Sequence, residues 1–125
     1  MNGISFDRTL TNSGTISGVQ NGLYFGNPVD GGGADHSDGV VNNLEGGVIS
    51  SGSRALNIDG IGLTVNNDGE IIGTGDQRNG TVYFDGTADN ATFRNGVTGI
   101  VDAGEGNQGS GISIEADPGA RSHLI

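Results

Sequence analysis

Cysteine and lysine are absent from the 125 residues of this sequence, and aromatic residues make up only 5% of it. Without cysteine, the chain can form neither a disulfide framework nor a cysteine zinc site. Its hydrophobic residues, at 32%, are too few to fill the core of an ordinary compact domain of this length. No run approaches the roughly 18 apolar residues that cross a bilayer as a helix, so the sequence predicts no membrane insertion.

The charge balance is strongly acidic, with a formal net charge of −10. Such a surface repels nucleic acid and anionic membranes, so the sequence predicts no nucleic-acid partner. It suits a salty or calcium-containing exterior. A glycine-rich acidic chain can also be disordered, but regularly spaced apolar residues argue against disorder here. No stretch sustains the 3.6-residue period of a helix.

Short segments that alternate apolar and polar residues recur along the chain, which is the period of a strand with one buried face. They are Ile4-Ser5-Phe6, Leu23-Tyr24-Phe25, Leu56-Asn57-Ile58, Val82-Tyr83-Phe84 and Ile112-Ser113-Ile114. This recurrence, about every 20 to 33 residues, indicates a repeat protein. Because one such unit cannot bury its own apolar side, its stability depends on stacking against neighbouring units.

Two more apolar columns and a column of asparagines run in step with the first. The second apolar column is Leu10, Val41, Val65, Phe93 and Leu124. Asparagines that can turn the chain and bond to one another in a ladder follow at Asn12, Asn43, Asn67 and Asn95. The third apolar column comes after a glycine, at Ile16, Ile49, Ile71 and Val101. Three strands per unit predict an all-β, three-sided β-solenoid of about four coils, a single domain over 1–125 with coil boundaries near residues 10, 41, 65, 93 and 124.

Two segments carry a resemblance to a known family. Thr11–Gly18 and Val65–Gly73 resemble the N-x-G-x-I repeats of bacterial autotransporter passengers and related surface proteins. The resemblance implies a right-handed parallel β-helix that is extracellular or on the bacterial cell surface. Members of the family act as stalks, adhesins or carriers, so it also implies a non-enzymatic structural or adhesive module.

The repeat strands reach both ends of the sequence. The chain begins on the first of them, Ile4–Phe6, and ends on Leu124-Ile125, which predicts an uncapped fragment of a longer solenoid. Uncapped coils leave strand hydrogen-bonding groups and apolar side chains open, and these groups promote end-to-end pairing. We therefore expect self-association through the solenoid ends.

Recognition on a repeat scaffold is expected where a loop is long or an aromatic residue faces outward. The longest connection runs from Gly26 to Val40 and contains His36, so it is the first candidate contact surface. Tyr24 and Tyr83 occupy polar positions of equivalent strands two coils apart. Both are expected to be exposed and able to stack on sugar rings. The sequence thus predicts a glycan or another host-surface ligand.

Two groups of acidic residues are candidate calcium sites. They are the loop that contains Asp30, Asp35 and Asp38, and the stacked column of Asp59, Asp85 and Glu115. Calcium takes six to eight oxygen ligands, which such side chains and loop carbonyls can supply. Neither group matches an established calcium motif. A calcium-stabilised solenoid module is therefore one alternative, and no other cofactor is predicted.

A carbohydrate-cleaving β-helix is the second alternative. Asp59 and Asp85 are expected about one strand spacing apart, close to the separation of the two carboxylates in a retaining glycosidase. Against this, both side chains are expected to face solvent, with nothing apolar nearby to turn one of them into a general acid. The only histidines, His36 and His123, accompany no serine or acid at catalytic spacing. The sequence therefore predicts that the chain is not an enzyme.

Overall fold

The computed structural model describes residues 9–25, 38–59, 61–74, 80–85, 88–104, 111–114 and 122–125, and for 122–124 it describes the backbone alone. In these ranges all helix or strand structure is strand, in thirteen short segments. No helix in the described part is long and apolar enough to cross a membrane. The strand-only structure agrees with the lack of a 3.6-residue period in the sequence.

The strands form three parallel sheets, one along each side of the solenoid. The first sheet contains β1 (Thr9–Asn12), β4 (Val40–Asn43), β7 (Thr64–Asn67), β10 (Ala91–Asn95) and β13 (Ser122–Leu124). The second sheet contains β2 (Thr15–Gly18), β5 (Val48–Ser51), β8 (Glu70–Gly73) and β11 (Ile100–Asp102). The third sheet contains β3 (Asn21–Phe25), β6 (Arg54–Ile58), β9 (Val82–Phe84) and β12 (Ile112–Ile114). The chain visits the sheets in the same order in every coil, which confirms the prediction of a three-sided parallel β-helix of about four coils.

Each strand pairs with the strand one coil away, in a register that stacks like side chains above one another. The aligned apolar residues of the first sheet are Leu10, Val41, Val65, Phe93 and Leu124. Those of the second sheet are Ile16, Ile49, Ile71 and Val101. Those of the third sheet are Phe25, Ile58, Phe84 and Ile114. The three predicted columns are therefore confirmed for the described strands, while Ile4–Phe6 lies outside them and the right-handed sense stays a prediction.

The apolar columns fill the interior of the solenoid. Ile49, Ile71 and Phe84 are among the side chains with no exposed surface, and Phe84 packs edge-on against Phe93 with ring centroids 6.5 Å apart. Complete burial of such a side chain contributes roughly 1.5 to 3 kcal/mol. The two outermost described strands of the third sheet differ, because Ile114 in β12 is 42% exposed while Phe25 in β3 is fully buried. Association through the ends stays a prediction.

An asparagine ladder runs along the corner between the first and second sheets, as the sequence predicts. Asn12 Nδ2 donates to Asn43 Oδ1, and Asn43 Nδ2 donates to Asn67 Oδ1, each at 2.8 Å. The described ladder ends at Asn95, whose Oδ1 accepts from Asn67 Nδ2, also at 2.8 Å. Asn43 and Asn67 are each 1% exposed. The ladder therefore satisfies buried amide groups whose desolvation would otherwise cost stability.

The ladder explains the glycine that follows each asparagine. A Cβ on Gly69 would overlap the carbonyl oxygen of Gly47 and would lie 2.7 Å from Nδ2 of Asn43. Ladder oxygens close the space beside Gly47 and Gly99 in the same way. Gly14, in the first described coil, has nothing within 4 Å of that position. Glycine is therefore required where a neighbouring backbone and a ladder amide pass close by.

Connection lengths differ between the corners of the solenoid. The corner between the first and second sheets uses two or four residues, in the segments 13–14, 44–47, 68–69 and 96–99. The longest connections border the third sheet, where segment 26–39 joins Phe25 to Val40 and segment 103–111 joins Asp102 to Ile112. One corner is thus regular, and the variation in chain length concentrates beside one sheet.

Candidate functional site

The outer face of the third sheet gathers most of the polar and aromatic side chains that the sequence analysis singled out. Tyr24, Asn57 and Tyr83 lie in one row across β3, β6 and β9. Asp59 and Asp85 directly follow β6 and β9, and their backbone N–H groups bond to equivalent carbonyls of the preceding coil, each at 2.8 Å. The two carboxyls therefore occupy equivalent positions one coil apart, as predicted. With one arginine these residues form the third-sheet cluster, which comprises Tyr24, Arg54, Asn57, Asp59, Tyr83 and Asp85.

Each tyrosine hydroxyl of the cluster donates a hydrogen bond to an aspartate. Tyr24 OH lies 3.2 Å from Asp59 Oδ2 and so links two neighbouring coils. Tyr83 OH lies 3.4 Å from Asp85 Oδ2 in its own coil. Both bonds are longer than the commonest hydroxyl–oxygen separation of about 2.7 Å, so they orient the side chains more than they stabilise the fold. The tyrosines and aspartates, which the sequence assigns to separate hypotheses, thus form two hydrogen-bonded pairs on one face.

Two expectations about exposure are wrong. The sequence predicts that Tyr83 and Asp59 face solvent, but Tyr83 is 4% exposed and Asp59 is 7% exposed. At Tyr83 the covering group includes Arg54, whose guanidinium carbon lies 4.2 Å from the ring centroid in a cation–π contact. Tyr24 and Asp85 are half-buried. A sugar ring can therefore stack on this face of Tyr83 only by displacing Arg54.

Arg54 is the residue of this site that sequence reasoning missed. It opens β6 in register with Asn21, and its side chain reaches the neighbouring coil. The two residues that follow it, Ala55 and Leu56, are both buried and so interrupt the alternation of the strand. If inward and outward residues alternated strictly along β6, Arg54 would not share the outward face with Asn57, so sequence reasoning leaves it out of the polar row of the third sheet. The only sign of Arg54's role in the sequence is the pair of apolar residues that follows it. This pair indicates that the strand is locally irregular, but it does not indicate that Arg54 contacts Tyr83.

Two polar atoms of the cluster are buried without a hydrogen-bond partner, Arg54 Nε and Asn57 Oδ1. Within the described ranges they are the only side-chain nitrogen and oxygen atoms in this condition. One is a donor and the other is an acceptor, and an unmet buried group costs about 1 to 3 kcal/mol. A hydroxyl group, which both donates and accepts, has the chemistry to satisfy the two atoms.

The calcium hypothesis depends largely on residues outside the described ranges. Those residues are Asp30, Asp35 and Glu115, and the predicted contact residue His36 lies outside as well. In the described part of the chain, no group of three or more histidine, cysteine, aspartate or glutamate side chains is arranged to hold a metal ion. Asp38 is exposed at the corner between the third and first sheets, while Asp59 and Asp85 supply two carboxyls. Six to eight oxygens are needed, so calcium binding stays a prediction.

Comparison of the chain with protein-family models, with curated proteins and with solved structures finds no match. The likeness to autotransporter passengers therefore stays a prediction that rests on the repeat segments. The fold is shown by the observed register of the strands.

Proposed function

We propose that the chain is a non-enzymatic structural and adhesive module, a stiff solenoid with a recognition surface on its third sheet. Every described strand is hydrogen-bonded to a strand one coil away. Four coils at about 4.8 Å each give a rod of about 20 Å. The acidic surface and the family resemblance support a position outside a bacterial cell. Such a rod holds its surface groups at fixed spacing, which is what an adhesive scaffold requires.

The observation that carries the proposal is the uneven distribution of connection length. The corner with the asparagine ladder never exceeds four residues, and its amide side chains bond to one another. Beside the third sheet, the connections vary from the two residues of segments 19–20 and 52–53 to the longer segment 26–39 between Phe25 and Val40 and segment 74–81 between Gly73 and Val82. When the length of the connections varies beside one face of an otherwise regular scaffold, the pattern is typical of proteins that use loops for recognition.

The third-sheet cluster favours a polyhydroxylated ligand such as a glycan. Arg54 Nε needs an acceptor and Asn57 Oδ1 needs a donor, and a sugar hydroxyl provides both. Because both atoms are buried, the ligand reaches them by moving Arg54 off the Tyr83 ring, at a cost of about 0.5 to 1 kcal/mol for the cation–π contact. That movement exposes an aromatic face on which a sugar ring can stack.

The test is the binding of neutral and uronic-acid oligosaccharides to the full chain, found on an array and measured by calorimetry. Arg54→Met removes the guanidinium but keeps the length of the stem. We expect it to weaken binding about tenfold or more and to change the free energy of unfolding by less than about 1 kcal/mol. Arg94→Met is the matched control, because Arg94 is exposed on the first sheet. Equal loss in both variants, or no binding to any of these sugars, would contradict the proposal.

Carbohydrate cleavage is the second candidate, because two carboxyls lie at equivalent positions one coil apart on the face that carries Arg54. The burial of Asp59 removes one argument against it, since this carboxyl is not fully solvated. The same oligosaccharides, incubated with the chain and separated by size, provide the test. Shortened products that Asp59→Asn abolishes would replace the adhesive proposal with an enzymatic one.

A further inference from the structure

A groove crosses the outer side of the corner between the first and second sheets, and no residue of the third-sheet cluster lines it. Its cavity has a volume of about 190 Å³. The groove exists because the two-residue connection 68–69 lies between the four-residue connections 44–47 and 96–99, which form its walls. Thr98 Oγ1 donates to the backbone oxygen of Asp68 at 2.7 Å, which fixes one wall to the floor.

The groove combines apolar side chains with carboxyls. Val48 and Ile100 flank Glu70 on the neighbouring strands of the second sheet, and Ile100 is 50% exposed. Glu45 and Asp68 lie on the connections beside them. No basic side chain is among the described residues that line it. Three acidic residues thus line one groove together with apolar ones.

This arrangement favours an extended cation over a metal ion. Although three carboxyls line the groove, no three acidic or histidine side chains in the described ranges converge as a metal site. An arginine or lysine side chain can lay its aliphatic stem on apolar surface and keep its charge among carboxylates. The volume is below the roughly 300 to 1,000 Å³ of small-molecule sites, so it suits a single side chain. The guanidinium, with five donors in a planar fork, matches the geometry of a carboxylate and can bond to it through two of them.

We propose that this groove docks an arginine side chain from a basic segment of a partner protein. The net charge of −10 attracts such a partner at long range, and the same charge opposes a second copy of this chain. Leu44 and Val97, one on each wall, are exposed and extend the contact to apolar residues beside the arginine. The proposal is independent of the glycan site, since it concerns a different corner of the solenoid.

The probe is N-acetyl-arginine amide, with the citrulline analogue as its uncharged control, titrated into the isotope-labelled full chain and followed by NMR. We expect the amide signals of Gly46, Gly69 and Thr98 to shift and saturate with the arginine probe but not with citrulline. Glu70→Gln is expected to weaken binding about tenfold. Asp38→Asn removes an exposed carboxyl at another corner and is expected to leave the affinity unchanged.

Four results would overturn the proposal. Shifts spread over the whole surface, or equal weakening in Glu70→Gln and Asp38→Asn, would show attraction to net charge alone. Calcium that saturates the same amides and displaces the arginine probe would make the groove a metal site. Dimers that form with rising concentration and disappear in Arg94→Met would make a second copy of the chain the occupant.

Discussion

The ladder corner and the third sheet use the same coils in opposite ways. At the corner, Asn43 and Asn67 are buried and bonded to like residues in the neighbouring coils. The equivalent row on the third sheet reads Tyr24, Asn57 and Tyr83, and the face around it contains two polar atoms without partners. Repeating one residue type in every coil satisfies its hydrogen bonds, whereas changing the residue at the same spacing leaves groups available for binding.

The contrast follows from the chemistry of the side chains. An asparagine amide carries both a donor and an acceptor, so identical residues satisfy one another at the strand spacing of about 4.8 Å. A phenol hydroxyl stands at the far end of its ring, and Tyr24 accordingly bonds to Asp59 rather than to the amide of Asn57. We therefore expect substitutions at the corner to change stability and substitutions in the third-sheet cluster to change binding.

Among the variants that test the difference between the corner and the third sheet, Asn67→Ala is expected to lower the free energy of unfolding most. It removes two ladder bonds and a third bond, from Asn67 Nδ2 to the backbone oxygen of Ile100, in a buried corner. We expect the free energy of unfolding, measured in urea, to fall by about 3 kcal/mol. Asn66→Ala is the matched control, because Asn66 is half-buried and donates one bond to Asn42 at 3.0 Å; a loss of about 1 kcal/mol is expected. Equal losses would show that the ladder does not hold the corner.

A smaller effect is expected from Gly69→Ala. The added methyl group meets backbone oxygens and the Asn43 amide, so the corner must shift, and we expect a loss of about 2 kcal/mol in the free energy of unfolding. Gly14→Ala makes the same chemical change where nothing lies within 4 Å, and a change of less than about 0.5 kcal/mol is expected. If both variants were equally stable, crowding by the ladder would not explain the glycine of the repeat.

Calcium is expected to change stability least. It tests whether the carboxyls of the third-sheet cluster bind a metal ion. With two carboxyls in the cluster, we expect the melting temperature to change by less than about 2 °C between calcium and chelator, which is about 0.5 kcal/mol for a chain of this size. Circular dichroism provides the measurement. A larger rise that Asp35→Asn abolishes would show that calcium binds through Asp35 and stabilises the fold.

The fold could be predicted because its information is periodic and local. The columns that contain Leu10, Ile16 and Phe25 need only the two-residue period of a strand, and the ladder needs only an asparagine at the same place in each coil. The contact between Arg54 and Tyr83 could not be predicted, because it depends on how far a side chain reaches from one coil to the next. Spacing along the chain does not encode that distance.

The groove could not be predicted from the sequence for a related reason. Its cause is visible in the sequence, because the glycine that directly precedes the second-sheet strand lies two positions after Asn67 but four positions after Asn43 and Asn95. A difference in corner length becomes a groove only when the short corner is stacked between two long ones. The motif therefore predicts the turn, and the neighbouring coils determine the shape of the surface.

The hydrogen bonds of the asparagine ladder all run in one sense. Each Nδ2 donates toward the coil that follows in the chain, so the side-chain dipoles add instead of cancelling. The described ladder consequently has a partial negative end at Asn12 Oδ1, which accepts from Gly14 N–H, and a partial positive end at Asn95 Nδ2, which donates to the Gly99 oxygen. Two copies meeting through identical ends would set oxygen against oxygen or N–H against N–H. Any assembly that continues the ladder must therefore be head-to-tail, an open heterologous arrangement and not a two-fold dimer.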